Sequence, residues 1–352
     1  DYNKDIQSLG YALVDVVELL GDGLSDVVSI DYLNLDVNKV ETIFQKLGEM
    51  ELLDLVAPVA VSYILSTGYI KNALATAGFT IEDLNIDKVI NKENFFTHEL
   101  LLIPELYKSI VNLGLKIDTN NIDFSEINQD KVDAFVQTLF KFYIVDNSIP
   151  VVASTLYVNF IPDNYKDLIS AEELKSTNWR EELSPVLTAA ATLLKTNIIN
   201  SKDPLTTICE MDDEEFVEIG RYLSKSKLLC NHMNDLINIL VDNGNIENLK
   251  LEGLDSNKNE HWDENEIVSL FRAAKIIINT GIIGAEDPML AIKSLDDEKI
   301  DNLATSLSNS KFFAKNLNPI VNFAIEQINV EGLTLETLDK EKGENWDETE
   351  LK

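Results

Sequence analysis

Apolar residues return along this chain at helical spacing, and the whole pattern then returns at a longer period. Ile267, Leu270, Phe271, Ala274, Ile277 and Ile278 stand at offsets 0, 3, 4, 7, 10 and 11, the stripe of an amphipathic helix. The stripe recurs 84 residues earlier as Leu183, Val186, Leu187, Ala190, Leu193 and Leu194. A further 83 earlier it reads Leu100, Ile103, Tyr107, Ile110 and Val111, with Pro104 in place of one member. After another 91 it reads Leu9, Ala12, Leu13, Val16, Leu19 and Leu20.

Each copy carries a second stripe: Val40-Ile43-Leu47, Val132-Phe135-Leu139, Phe216-Ile219-Leu223 and Ile300-Leu303-Leu307. Four residues before these lie Asp36, Asn128, Asp212 and Asp296, side chains that cap a helix start by accepting from its free backbone N–H groups. Paired apolar residues follow at Leu52-Leu53, Ile144-Val145, Leu228-Leu229 and Phe312-Phe313, and open a third stripe. Pro58, Pro150 and Pro319 fall along that stripe and are expected in a first helical turn, where a missing N–H costs nothing. The loops "DPL" (Asp203-Pro204-Leu205) and "DPM" (Asp287-Pro288-Met289) predict a short extra helix beginning at the proline. The connectors "NLKLEGLD" and "GLTLETLD" alternate apolar and polar residues, which suits a short extended segment. Between Ile64 and Phe95 the first copy is longer than the others, with room for an added helical turn.

A self-repeat of this period predicts an all-α solenoid or elongated rod of stacked helical units. The boundaries read as 1–94, 95–177, 178–261 and 262–345, with 346–352 opening a fifth unit. The closing "NWDETELK" matches the start of the fourth unit's first helix. It suggests a piece of a longer array, or ends that dock onto neighbouring copies.

Composition narrows the classes. At 45% hydrophobic residues over 352 positions the chain can bury a core. No apolar run reaches the ~18 residues that span a bilayer, and no secretory leader opens the sequence. With 61 acids against 29 bases, a net charge of −32 repels nucleic acid and anionic lipid. The two cysteines, Cys209 and Cys230, make neither a disulfide framework nor a zinc site and read as buried free thiols. His98, His232 and His261 lie in different copies without metal-binding spacing. No phosphate loop, nucleophile elbow or HExxH is present. The Gly21–Gly23 "GDG" reads as a helix stop. An enzyme is not expected.

The acidic seam "LDSNKNEHWDENEI", from Leu254 to Ile267, holds the one candidate site. Counted from Asp255, oxygen donors fall at positions 1, 3, 5, 9 and 12: Asp255, Asn257, Asn259, Asp263 and Glu266. Those positions resemble the calcium loop of EF-hand proteins, where they surround a hard cation, and the resemblance implies a Ca²⁺ site. Glu260 stands where that loop has glycine. The later seam offers Asp339, Glu341, Asp347 and Glu350 with Gly343 and Glu344 between. The other reading is structural: acids before a helix favour its positive end, and Trp179, Trp262 and Trp346, with Phe95 or Phe96, plug the seams.

The abundance of Asn, Asp, Ile, Lys and Leu, with few Pro and Gly, and the repeat style resemble the tandem-repeat surface or structural proteins of AT-rich bacteria or their phages. The resemblance implies a non-enzymatic structural or adhesive segment of an extracellular or cell-surface protein. Its partners would be adjacent repeats, copies of itself in a head-to-tail filament, or other surface proteins. The alternative is a cytoplasmic helical-repeat scaffold gripping a peptide on a face lined by Tyr32, Tyr63, Tyr143 and Tyr157.

Overall fold

The structure is a computed structural model describing residues 2–20, 33–65, 68–90, 92–118, 121–160, 168–196, 204–243, 250–279 and 295–328, with 332, 334, 335, 346 and 351. The regular structure among these residues is helical apart from one small hairpin. The chain divides into two compact units, Asp1–Thr188 and Ala189–Lys352.

In the first unit, α1 (Tyr2–Leu20), α2 (Val37–Gly48) and α3 (Glu51–Leu65) follow the three stripes of the first copy. The longer connector becomes α4 (Gly68–Thr76), a 3-10 turn at Glu82–Leu84, and α5 (Ile86–Ile90). It is a small helical subassembly, more than the single added turn expected. The second copy supplies α6 (Phe95–Asn112), α7 (Gln129–Leu139), α8 (Tyr143–Phe160) and α9 (Ala171–Ser176). Between α6 and α7, β1 (Lys116–Asp118) and β2 (Asn121–Asp123) pair antiparallel, Ile117 opposite Ile122.

Helix α10 (Trp179–Lys195) carries the division between the units. In the second unit, α11 (Pro204–Glu210) begins at its proline as expected. It is followed by α12 (Asp213–Ser224), α13 (Lys227–Asn231) and α14 (Met233–Asn243). The fourth copy supplies α15 (Glu264–Asn279), α16 (Asp297–Ser308) and α17 (Lys311–Ile328). The "DPM" loop, Gly21–Gly23 and Tyr32 lie outside the described residues, as does most of the closing stretch.

The helix starts are written by their caps. Asp36 accepts from the N–H groups of Asn38 and Lys39, Asn128 from Lys131, Asp212 from Glu214 and Glu215, and Asp296 from Lys299. Each satisfies donors that the first turn leaves without an intrahelical partner. Past the cap, one face is buried: Val40 and Ile43 on α2, Val132 and Val136 on α7, and Phe216, Val217 and Ile219 on α12.

Within the first unit, α6 lies between α2 and α7. Within the second, α15 lies between α12 and α16. In both places the first helix of a copy packs on its own second helix and on the second helix of the copy before. The α12–α15 approach is close: a Cβ on Gly220 would stand 2.7 Å from Phe271 Cγ. Only hydrogen leaves room there.

The prolines correct the sequence reading. Pro58, Pro150 and Pro319 stand inside α3, α8 and α17, not in a first turn. Those helices start at Glu51, Tyr143 and Lys311, seven or eight residues upstream, because the paired apolar residues belong to the same helix as the proline. The connector residues 250–255 adopt no regular structure, so the apolar-polar alternation there marks burial of Leu251 and Leu254 in a helical core.

Candidate functional site

The acidic seam sits in the second unit between α14 and α15, and the carboxylates of Asp255, Asp263 and Glu266 are occupied by local structure, while Asn257 and Asn259 are exposed. Asp255 is the cap of a 3-10 turn at Ser256–Lys258 and accepts from Asn257 N–H at 2.9 Å. Asn259 ends that turn with φ 59°, a left-handed conformation that asparagine tolerates. The sharp turn therefore falls at the fifth position of the loop. Glu260, at the sixth, turns inward: its Oε2 accepts from Asp255 N–H at 3.1 Å and from Lys315 Nζ at 2.9 Å. The Lys315 hydrogen bond holds the Glu260 carboxyl below the usual carboxylate range. Asp263 accepts from Glu266 N–H at 3.0 Å as α15 begins.

Glu266 has the most telling position. Its side chain is 3% exposed and reaches the first turn of α17. Oε1 accepts from Lys311 N–H at 2.7 Å, and Oε2 accepts from Ser310 Oγ at 2.8 Å and Phe312 N–H at 3.4 Å. One carboxylate thus caps a helix 44 residues away, satisfying free N–H groups and meeting the positive end of the helix dipole. Glu99 does the same in the second copy, accepting from Tyr143 N–H at 2.9 Å at the start of α8. Glu182, at the matching place in the third, is also buried. Sequence reading took Glu266 for a calcium ligand or an acid favouring its own helix start, and did not single out Glu99 or Glu182. The signal was an acid immediately before the first stripe residue in "HELL", "EELS" and "NEIV".

A second recurring contact fixes the connector. Asn234 of α14 accepts from Leu254 N–H at 3.0 Å and from Trp262 Nε1 at 2.6 Å, and donates to Leu254 O at 2.9 Å. Asn318 accepts from Trp346 Nε1 in the same way, 84 residues on. The tryptophans Trp262 and Trp346 are buried plugs, as is Phe95, and Trp262 packs on Phe312 with ring centroids 5.1 Å apart. A Cβ on Gly253 would lie 2.5 Å from Asn234 Cγ, so the backbone must pass bare here.

Lys275 of α15, 1% exposed, was not anticipated. Its ammonium donates to the carbonyls of Ile208 and Cys209 and to Asn279 Oδ1. A buried cation at the C-terminal end of α11 meets the negative pole of that helix.

The remaining candidates are scattered. Among the described residues no three or more His, Cys, Asp or Glu side chains gather as a metal ion requires. Asp339, Glu341, Asp347 and Glu350 lie outside the described residues. His261 is exposed, and half-buried His98 stacks on Tyr143 at 4.2 Å. Neither cysteine forms a disulfide; Cys209 is exposed and Cys230 half-buried, which corrects the buried-thiol reading for Cys209. Tyr63 is exposed, Tyr143 is half-buried, and the Tyr157 hydroxyl accepts from Ile169 N–H at 3.1 Å. An apolar cleft of about 300 Å³ opens between α4, α5 and α8, lined by Ile70, Leu74, Leu84, Ile144 and Val152. Among the described residues no helix is long and apolar enough to cross a membrane.

Comparison with protein-family models, curated proteins and solved structures returned no match.

Proposed function

We propose that the chain is a run of stacked helical repeats serving a non-enzymatic structural or adhesive role in a longer extracellular or cell-surface protein. The observation that carries this reading is the return of one structural device at one period. Glu99, Glu182 and Glu266 are buried at matching positions, and described capping bonds tie Glu99 and Glu266 to the third helix of their own copies. Such contacts, repeated from copy to copy, would add stability along an array without converging on a reaction centre. Glu99 and Glu266, buried acids of the kind an active site would leave poised, are used by backbone donors. In this reading the acidic seams serve as helix caps.

Two measurements test it. A compact particle of this length has a radius of gyration of about 20 Å. Small-angle scattering is expected to give a clearly larger value, and a value near 20 Å would refute stacking. Antibodies against the chain are expected to label intact cells of its source; labelling that appears only after permeabilisation would favour an intracellular scaffold.

A further inference from the structure

We infer that the polar groove over α15, between α12 and α16, is a binding site for a neutral glycan. The groove encloses about 370 Å³, within the range of small-ligand sites. Apart from Val217 and Ile276, every residue that lines it is polar or charged. It therefore offers hydrogen bonds and little apolar surface.

Three of its side chains are uncommitted. Among the described residues, the guanidinium of Arg272 and the side-chain amides of Asn302 and Asn309 have no hydrogen-bond partner. Arg272 meets Glu214 only as an ion pair, at 3.7 Å. Asn302 and Asn309 stand seven positions apart along α16 and its C-terminal cap, two turns on one face and about 10 Å along the axis. The floor between the helices is already fixed. Lys275, 1% exposed, spends its ammonium on the carbonyls of Ile208 and Cys209 and on Asn279 Oδ1. The groove thus holds its shape before a ligand arrives, which lowers the cost of binding.

The first unit shows what closes this place when it is not used. Glu105 on α6 and Lys141 after α7 hold the positions of Arg272 and Asn309, and there they form an ion pair across the two helices. Lys108 pairs with Glu41 at 2.7 Å beside them. In the second unit an arginine and an asparagine replace the first pair, and Val217 replaces Glu41. Neither bridge can form, and the donors stay open.

The open groups select the ligand. Arg272 and Lys275 are balanced by Asp213 and Glu214, so the groove has no net charge to offer an ion. Arg272 donates, Glu214 accepts, and the two amides do both. Neighbouring hydroxyls on a sugar ring also donate and accept, and they match this mixed set. An extended peptide would need side-chain pockets or apolar anchors, which the lining lacks. A polyanion would be repelled by the net charge of −32. The inference names a ligand class for the adhesive role proposed above and rests on that reading.

Isothermal titration of the full chain with neutral oligosaccharides of glucose, mannose, galactose and N-acetylglucosamine tests it, at about 0.05 M and about 0.5 M salt. At least one is expected to bind saturably, with an affinity that salt changes by less than about twofold. Arg272→Ala should weaken that binding about tenfold or more. The double variant Arg272→Glu/Asn309→Lys, which rebuilds the ion pair of the first unit, should abolish it with helical circular dichroism unchanged. Lys39→Ala, an exposed cation of the first unit, should leave it intact. Silence from the whole panel, binding that the double variant leaves unchanged, or binding lost at the higher salt would overturn the inference. So would an acidic oligosaccharide or a basic peptide that binds in preference. Failure to bind by a chain that antibodies find on intact cells would sink this inference alone. Labelling only after permeabilisation would instead sink the surface reading on which it rests.

Discussion

At the scale of single residues, the chain uses buried carboxylates as long-range helix caps. Truncating Glu266 to alanine removes both acceptors from Lys311 and Phe312 N–H and from Ser310 Oγ, all near or inside the core. Buried donors left unpaired cost about 1–3 kcal/mol, so Glu266→Ala is expected to lower unfolding stability by about that much in urea titration. Glu99→Ala should behave alike through Tyr143 N–H. Glu266→Gln, which keeps one acceptor oxygen, should lose less; equal losses would mean that bulk rather than capping matters. Two other acids set a pH dependence. The Lys299 backbone N–H draws the Asp296 carboxyl below its ordinary value of 3.8, and the Lys315 hydrogen bond draws Glu260 below 4.5. A folded value below the unfolded one means the unfolded chain binds the proton more readily. That stability is therefore present above the unfolded value and is lost as pH falls through the folded one. The urea midpoint should drop from pH 6 toward pH 3, and Asp296→Asn with Glu260→Gln should flatten the drop. The cap residues Asp36, Asn128, Asp212 and Asp296 were legible in sequence because capping is local. Glu266 was ambiguous there because its partners stand 44 or more positions away, and an acid before a helix reads the same whether it meets a cation or another helix.

At the scale of elements, the stripes predicted the helices because the periodicity reports which face is buried, and burial is what selects it. The errors fall where a local signal met a non-local one. Proline favours a first turn on its own, yet the third helices extend upstream of theirs; in two of them Ile144 and Phe313 have cores to enter. The β1–β2 hairpin escaped notice for the opposite reason: two three-residue strands are too short for alternation to stand out. The connector before α15 shows how an element without regular structure is nonetheless fixed. Asn234 makes two hydrogen bonds to Leu254 and one to Trp262 Nε1. At about 1 kcal/mol net for each bond, Asn234→Ala is expected to cost about 2–3 kcal/mol and to expose Trp262. Tryptophan fluorescence that shifts red before global unfolding would register the freed connector. An unshifted spectrum with full stability would show that Leu251 and Leu254 hold the segment by burial alone.

For the whole molecule, the deciding quantity is the excess of acid. Two unit charges about 10 Å apart in water interact by about 0.4 kcal/mol, a small amount for any one pair. The chain, however, holds 61 acids and 29 bases, so repulsive pairs outnumber attractive ones over its surface. The exposed ion pairs, such as Lys108–Glu41 and Arg180–Asp146, return about 0–1 kcal/mol each. Screening weakens both kinds of interaction, and the commoner kind decides the sign. Added salt between about 0.02 M and 0.5 M, where the Debye length shrinks to a few ångströms, is therefore expected to raise the melting temperature of the folded chain. Sodium and potassium chloride at equal ionic strength should act alike, because the effect needs charge and not a fitted site. A melting temperature that falls with salt would mean that the surface pairs outweigh the net repulsion. Calcium supplies the sharper contrast. If the oxygens of Asp255, Asp263 and Glu266 remain bonded to backbone as seen, calcium should stabilise only as a divalent screen, matched by magnesium at equal concentration. A rise peculiar to calcium that saturates and is reversed by chelator would require Glu266 to leave α17, and with it the caps on which the fold of this unit relies.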